Sequence, residues 1–282
     1  MADAAVKDRA GLGWRAELAA GIFANLHRID ALEVIADDYF QAPSSRISAL
    51  QTLSRQLPVL LHGVGLGLAS TAPADRKRIE SMARLIEKVR PECWTEHLAF
   101  VRAGGIEIGH LAAPPRNENT LAGLCDNMRL ARRITGATPA MENIATLIDP
   151  PGSPMNEARW ISGAIAASGS ELLLDLHNVL TNSINFRYDP YQFLAAIPLE
   201  MVSIVHIAGG RSMGKGRRLD DHLHETPTAV FSMLRWVAAR TARSLTVILE
   251  RDGNYPRMEE LLLELDRARA AMREGRHDRA GV

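Results

Sequence analysis

The stretch "PVLLHGVGLG", Pro58 to Gly67, decides the fold. An apolar run of strand length breaks at His62 and opens into a glycine-rich turn. In a doubly wound open sheet that turn would cradle a phosphate, with glycines spaced G-x-G-x-x-G after the first strand. Here Gly63, Gly65 and Gly67 have a different spacing and follow the third strand candidate. The reading that remains is a strand buried on both faces of a parallel sheet, polar only at its C-terminal end.

The same pattern recurs along the chain. Strand-like runs appear in "AGLGWR", "ALEVIAD", "PVLLHGVG", "CWTEHLAF", "PAMENIA", "ELLLDLHNV", "MVSIVHIAG" and "LTVILERD". Between them lie amphipathic stretches such as "ADRKRIESMARLIEKVR", "NTLAGLCDNMRLARRI", "TAVFSMLRWVAAR" and "RMEELLLELDRARAAM". Pro58 opens a strand and Pro91 stops a helix, places where proline costs little. Strand alternating with helix implies right-handed crossovers and an α/β fold. Eight such units in 282 residues match a TIM-type (β/α)8 barrel. We expect a single barrel domain over residues 1–282, with a core of about 11–270 and a polar, frayed C-terminal tail, "REGRHDRAGV".

Composition narrows the function. Hydrophobic residues make up 46% and charged residues 23%, as in a globular protein with a sizeable core. Lys+Arg and Asp+Glu are both 33, so bulk charge argues against a nucleic-acid or membrane-surface binder, leaving "RSMGKGRR" as a local basic patch. Cys93 and Cys125 form no C-x-x-C pair, which points to a reducing cytoplasm. The opening "MADAAVKDRAGLGWRAEL" lacks the apolar stretch of a secretory signal, and no run is long enough to span a membrane.

The polar residues cluster where the strands end. His62 follows "PVLL", Glu96 and His97 follow "CWT", and Glu142 and Asn143 follow "PAM". Asp175, His177 and Asn178 follow "ELLL", His206 follows "MVSIV", and Glu250 follows "LTVIL". One histidine at a strand end is ordinarily a hydrogen-bonded structural residue. Six strands in succession are different, because each unpaired buried charge costs several kcal/mol. Imidazole and carboxylate without thiolate suit iron, manganese or zinc. Seven or eight candidate ligands exceed what one ion takes, so two or three ions are expected. In "LDDHLHE", Leu219 to Glu225, an extended backbone would turn Asp220, His222 and His224 to one side. Glu225 is expected to cap the helix beginning near "TPTAVF".

Together "LLHGVGLGL", "TEHLAF", "MEN", "LLLDLHNV", "VHIAGG", "LDDHLH" and "ILERD" resemble the multinuclear non-heme iron-dependent oxidases, the family of the methanobactin biosynthesis iron oxidase. The match runs in order from about Gly11 to Leu262. The resemblance implies a TIM-type barrel with two or three irons that uses O2 to oxidise a residue, often cysteine, of a ribosomally made precursor peptide. It also implies a partner protein that grips the peptide's leader. By motif position the metal ligands fall on His62, His97, Glu142, Asp175, His206, Asp220, His222 and Glu250. Asn178 lies in the same shell, and His224 orients a ligand or meets substrate. His222, His224 and Asn178 are thus the catalytic candidates.

Three positions depart from the family pattern. His177 stands where the first of two asparagines is usual, and Gly210 replaces the histidine that closes H-x-A-G-H. Asp221, Leu223 and Glu225 replace the second, fourth and sixth members of D-T-H-D-H-P. The alternative reading is a zinc- or manganese-dependent barrel hydrolase or isomerase acting on phosphate esters or sugars. A third is a peptide-binding barrel without catalysis.

Overall fold

Each of the eight apolar runs forms a strand in the computed structural model, which describes residues 7–280. The first six residues of the opening stretch and the last two of the tail lie outside the described residues. The strands are β1 (Arg9–Gly13), β2 (Leu32–Ile35), β3 (Val59–His62), β4 (Cys93–His97), β5 (Ala140–Glu142), β6 (Leu172–Asp175), β7 (Val202–Ile207) and β8 (Thr246–Leu249). They close into a barrel in the order β1-β8-β7-β6-β5-β4-β3-β2, with helices between them. The expected (β/α)8 fold is the observed one. The chain divides into two compact units, Glu33–Leu172 and the remainder, described in turn.

In the Glu33–Leu172 unit the parallel registers set His62 beside Thr95 and His97 beside Glu142. The helix Arg76–Val89 forms where the sequence placed it, N-capped by Asp75, whose carboxylate accepts from the backbone of Lys77 and Arg78. Its buried residues Ile79, Met82, Leu85 and Val89 recur at helical spacing, each worth about 1.5–3 kcal/mol of burial. The helix ends at Arg90 in the left-handed conformation (φ 52°), just before Pro91. The buried Asn127, on the helix Glu118–Thr135, secures the loop after β3. Its amide donates to the carbonyls of Leu68, Ser70 and Ala72 and its oxygen accepts from Ala74 N–H, at 2.8–3.1 Å. A hairpin of Phe100–Ala103 and Ile106–Ala112 follows β4.

In the other unit β8 pairs with both β1 and β7, setting Ile248 beside His206. A second hairpin, Gly210–Gly214 with Arg217–Asp220, follows β7 and returns Asp220 to a position opposite Gly210. The basic "RSMGKGRR" segment is therefore an ordered hairpin, turned by Lys215 (φ 50°) and Gly216 (φ 70°).

The tail departs from expectation. The last helix runs from Met258 to Ala280, without fraying after residue 272. Arg276 is the reason: its guanidinium donates to Asp8 at 2.7 and 2.9 Å and to the carbonyls of Ala238, Thr241 and Arg243. A polar composition suggested solvent, but one arginine satisfies five acceptors there.

Candidate metal centre

In parallel barrels the C-terminal strand ends carry the chemistry. Here His62, His97, Glu142 and Asp175 are the last residues of β3 to β6, His206 is the penultimate residue of β7, and Glu250 follows β8. All six are buried.

The Glu33–Leu172 unit holds one group. His62 Nε2 and His97 Nε2 lie 3.5 and 3.3 Å from Glu142 Oε2. The opposite ring nitrogens have their own partners: His97 Nδ1–H donates to the Gly63 carbonyl at 3.1 Å, and His62 Nδ1 meets the Thr95 hydroxyl at 2.6 Å. The Gly63 carbonyl only accepts, so it fixes the neutral His97 tautomer and presents the Nε2 lone pair, while the Thr95 hydroxyl, able to donate or accept, holds the His62 ring in place. The His97 lone pair and the Glu142 carboxylate oxygen that it faces repel each other unless a cation lies between them. Two donors on a first-row ion at about 2.1 Å stand roughly 3.0–3.4 Å apart, close to the spacing seen. Glu33 brings a carboxylate oxygen within 4.8 Å of a His62 nitrogen, a candidate hidden from sequence reading inside the apolar run of β2. Glu96 is buried for another purpose: its carboxylate accepts the backbone N–H groups of Leu66 and His97, at 3.0 and 2.9 Å.

The other unit holds two groups. Asp175, His206 and Glu250 bring one donor atom each within 4.8 Å of one another, with His206 Nδ1 3.1 Å from Glu250 Oε2. Asp175 also N-caps the helix Leu176–Phe186, accepting from Asn178 N–H at 2.6 Å, so one carboxylate both starts the helix and belongs to the group. His177, Asp220 and His222 form the other group. His222 Nε2 is 3.0 Å from Asp220 Oδ1, and His222 Nδ1 is 3.0 Å from Asp252 Oδ2 and 3.6 Å from Glu250 Oε2. Arg15 holds Asp252 through its guanidinium. Sequence reading assigned no role to Asp252 or Arg15; the carboxylate after "ILER" was the available signal.

Electrostatics in this last group are those of a cation site. Burial favours the neutral His222 ring, but Glu250, Asp220 and Asp252 outweigh it and raise its pKa well above that of ordinary imidazole. Burial likewise works against the Asp220 carboxylate, yet His177 and His222 hold it below the usual range. Asp252 is also depressed, because His222 and Arg15 outweigh its burial. A proton on His222 thus balances the carboxylates, a task a divalent ion performs better.

Two expectations need correction. His222 adopts the left-handed conformation (φ 54°), so the loop is not extended and Asp220 and His224 do not share a side. His224, with 44% of its side chain exposed, instead sets Nδ1 2.9 Å from Asp221 Oδ1 and joins no such group. Glu225 caps no helix: Thr228–Ala238 begins at Pro227 without a side-chain cap, while Glu225 pairs with Arg267 at 2.6 Å. Proline at that boundary already fixes the entry conformation, and the nearby guanidinium is the stronger partner for a carboxylate. Cys93 and Cys125 form no disulfide and belong to none of the groups.

Barrel and buried donors together define a TIM-type barrel whose His and carboxylate clusters can hold metal ions. The chain belongs to the family described as RiPP precursor modification enzyme MbnB/TglH/ChrH, which it matches over residues 9–273. It is 36% identical over 269 residues to a UPF0276 protein of Streptomyces avermitilis, covering 93% of this chain and 54% of that one. The chain thus spans about half the length of that relative. A UPF0276 protein of Caulobacter vibrioides is 28% identical over 248 residues, 88% of each chain. Among solved structures the chain is similar to a 3-keto-D-glucoside 4-epimerase, YcjR, from E. coli (TM-score 0.60, 16% identity, 94% of this chain and 100% of that one). A xylose isomerase domain containing protein from Salmonella typhimurium gives TM-score 0.63 at 13% identity, covering 94% and 97%. At that identity the likeness is one of fold. Among the described residues no helix is long and apolar enough to cross a membrane.

Proposed function

We propose that this chain is a multinuclear, iron-dependent, O2-using oxidase that modifies a residue, most readily cysteine, of a ribosomally synthesised precursor peptide. The observation that carries the reading is the set of buried and half-buried groups made only of imidazole and carboxylate donors, in a member of a precursor-modifying family. His62, His97 and Glu142 hold one ion; Asp175, His206 and Glu250 suit a second; Asp220 and His222 suit a third. Iron held this way supplies electron transfer to O2 and Lewis acidity toward a bound thiolate.

The chain's own residues do the positioning. Gly63, Thr95 and Asp252 orient the ligand rings through their second nitrogens, and Arg15 steadies Asp252. Asn178, held by Asp175 through its backbone N–H, stands beside the second group as ligand or orienter. The exposed His224 is placed to meet a peptide rather than an ion. A leader-binding partner protein and a cytoplasmic setting complete the reading.

The test is elemental analysis of protein purified without air, followed by O2 uptake with a candidate precursor peptide. Two to three irons per chain and peptide-dependent O2 consumption are expected. Asp220→Ala and His222→Ala are expected to lower bound iron while leaving the fold intact. Stoichiometric zinc or manganese without O2 uptake would overturn the proposal and move the assignment to a hydrolase or isomerase acting on phosphate esters or sugars.

A further inference from the structure

The fully buried ring of His177 lies in the first turn of the helix Leu176–Phe186. Its Nε2 is 3.3 Å from Arg218 Nε. A guanidinium has donors only, so Nε2 must accept. The ring proton of neutral His177 therefore sits on Nδ1, 2.6 Å from Asp220 Oδ1. The chain of donors has one direction: Arg218 to His177, and His177 to Asp220.

The distances separate the two histidines that touch Asp220. At 2.6 Å the His177 contact is hydrogen-bond length, and shorter than the roughly 3.0–3.4 Å between two ligands of one ion. The His222 contact, at 3.0 Å, falls at the ligand spacing. Arg218 also places a permanent positive charge against the far side of the His177 ring, where a metal ion would be repelled.

Gly210 makes the arrangement sterically possible. A Cβ there would stand 2.2 Å from the Leu219 carbonyl and 2.7 Å from His177 Cε1. Arg218 is itself anchored: its Nη2 donates to the Gly210 carbonyl at 2.7 Å, and its backbone N–H donates to Asn185 Oδ1 at 2.8 Å. Asn185 Nδ2 donates back to the Arg218 carbonyl at 3.1 Å. The hairpin thus fixes the donor that fixes the ring.

We propose that His177 is a positioning residue of the Asp220–His222 metal site, orienting Asp220 through Nδ1–H without ligating the ion. The proposal rests on the metal reading of that group. It accounts together for the two departures at His177 and Gly210: the imidazole brought in by one needs the space left by the other.

The experiment is an anaerobic titration of the metal-free protein with Fe(II), repeated with Co(II), whose visible bands report the ligand set. Removing such an outer partner costs about 10–100-fold in affinity. His177→Ala is therefore expected to weaken one metal equivalent by that factor while reaching the wild-type stoichiometry and Co(II) spectrum at saturation. His177→Asn, whose amide nitrogen falls near the place of Nδ1, is expected to restore most of the loss. Arg218→Met, on the hairpin rather than in the barrel, is expected to weaken the same equivalent.

Loss of a whole equivalent at saturating metal in His177→Ala, with native circular dichroism, would make His177 a ligand and overturn the proposal. Normal wild-type loading beside unchanged affinity in His177→Ala and Arg218→Met would overturn it alone. A wild-type protein that takes up no metal would overturn the metal reading and this assignment with it.

Discussion

His222 Nδ1 lies 3.0 Å from Asp252 Oδ2, and the backbone makes the same link, Asp252 N–H donating to the His222 carbonyl at 3.0 Å. Two contacts between one pair of residues join the loop after β7 to the loop after β8. They also fix which nitrogen faces Asp220. A carboxylate on Nδ1–H leaves Nε2 as the donor and increases its basicity.

Asp252→Asn is therefore expected to lower metal affinity at the Asp220–His222 group by about 10–100-fold without unfolding the protein. Calorimetric titration of the metal-free variant measures it. Affinity equal to wild type would remove Asp252 from the site.

The raised pKa of His222 gives metal loading a pH dependence. The ring must lose its proton to ligate, so uptake releases a proton and affinity rises with pH by up to about tenfold per unit until the folded pKa is passed. In the metal-free protein the sign reverses. Stability contributed by protonated His222 is fully present below the ordinary imidazole value of about 6.5 and is lost as pH rises through the higher folded value. Melting temperatures of the metal-free wild type and His222→Gln are expected to converge as pH rises. A gap that stays constant from acid to alkaline pH would contradict this.

Asn127→Ala removes four hydrogen bonds around the loop after β3 and leaves the carbonyls of Leu68, Ser70 and Ala72 to find other partners. A loss of about 2–4 kcal/mol is expected, larger than for one ordinary hydrogen bond. Chemical denaturation measures it, and hydrogen exchange is expected to show the loop from Leu68 to Ala74 losing protection first.

Arg276→Ala is expected to destabilise the protein by about 1–3 kcal/mol and to free the end of the last helix. Limited proteolysis followed by mass spectrometry reads the second effect. A variant cut no faster than wild type after Arg267 would show that the helix needs no such anchor.

Much of the architecture was legible because a parallel barrel imposes a pattern that a sequence can carry. Strands buried on both faces must be apolar throughout, so His62, His97, Glu142, Asp175, His206 and Glu250 stood out where the runs ended. Glu33 was illegible for the converse reason: one carboxylate inside an apolar run carries no periodic signal.

The sequence by itself determined the eight-stranded barrel and the donor types at the strand ends, because periodicity and residue chemistry are local properties. Only the tertiary structure decided which nitrogen of each histidine points where. Gly63 and Thr95 choose it for His97 and His62, Asp252 chooses it for His222, and Arg218 chooses it for His177. It likewise separated His224 from Asp220, through one left-handed residue at His222. The physical reason is the same in each case. A ligand's direction is set by hydrogen bonds to groups 30 to 41 residues away or by a backbone conformation that its neighbours enforce, and neither leaves a mark in local spacing.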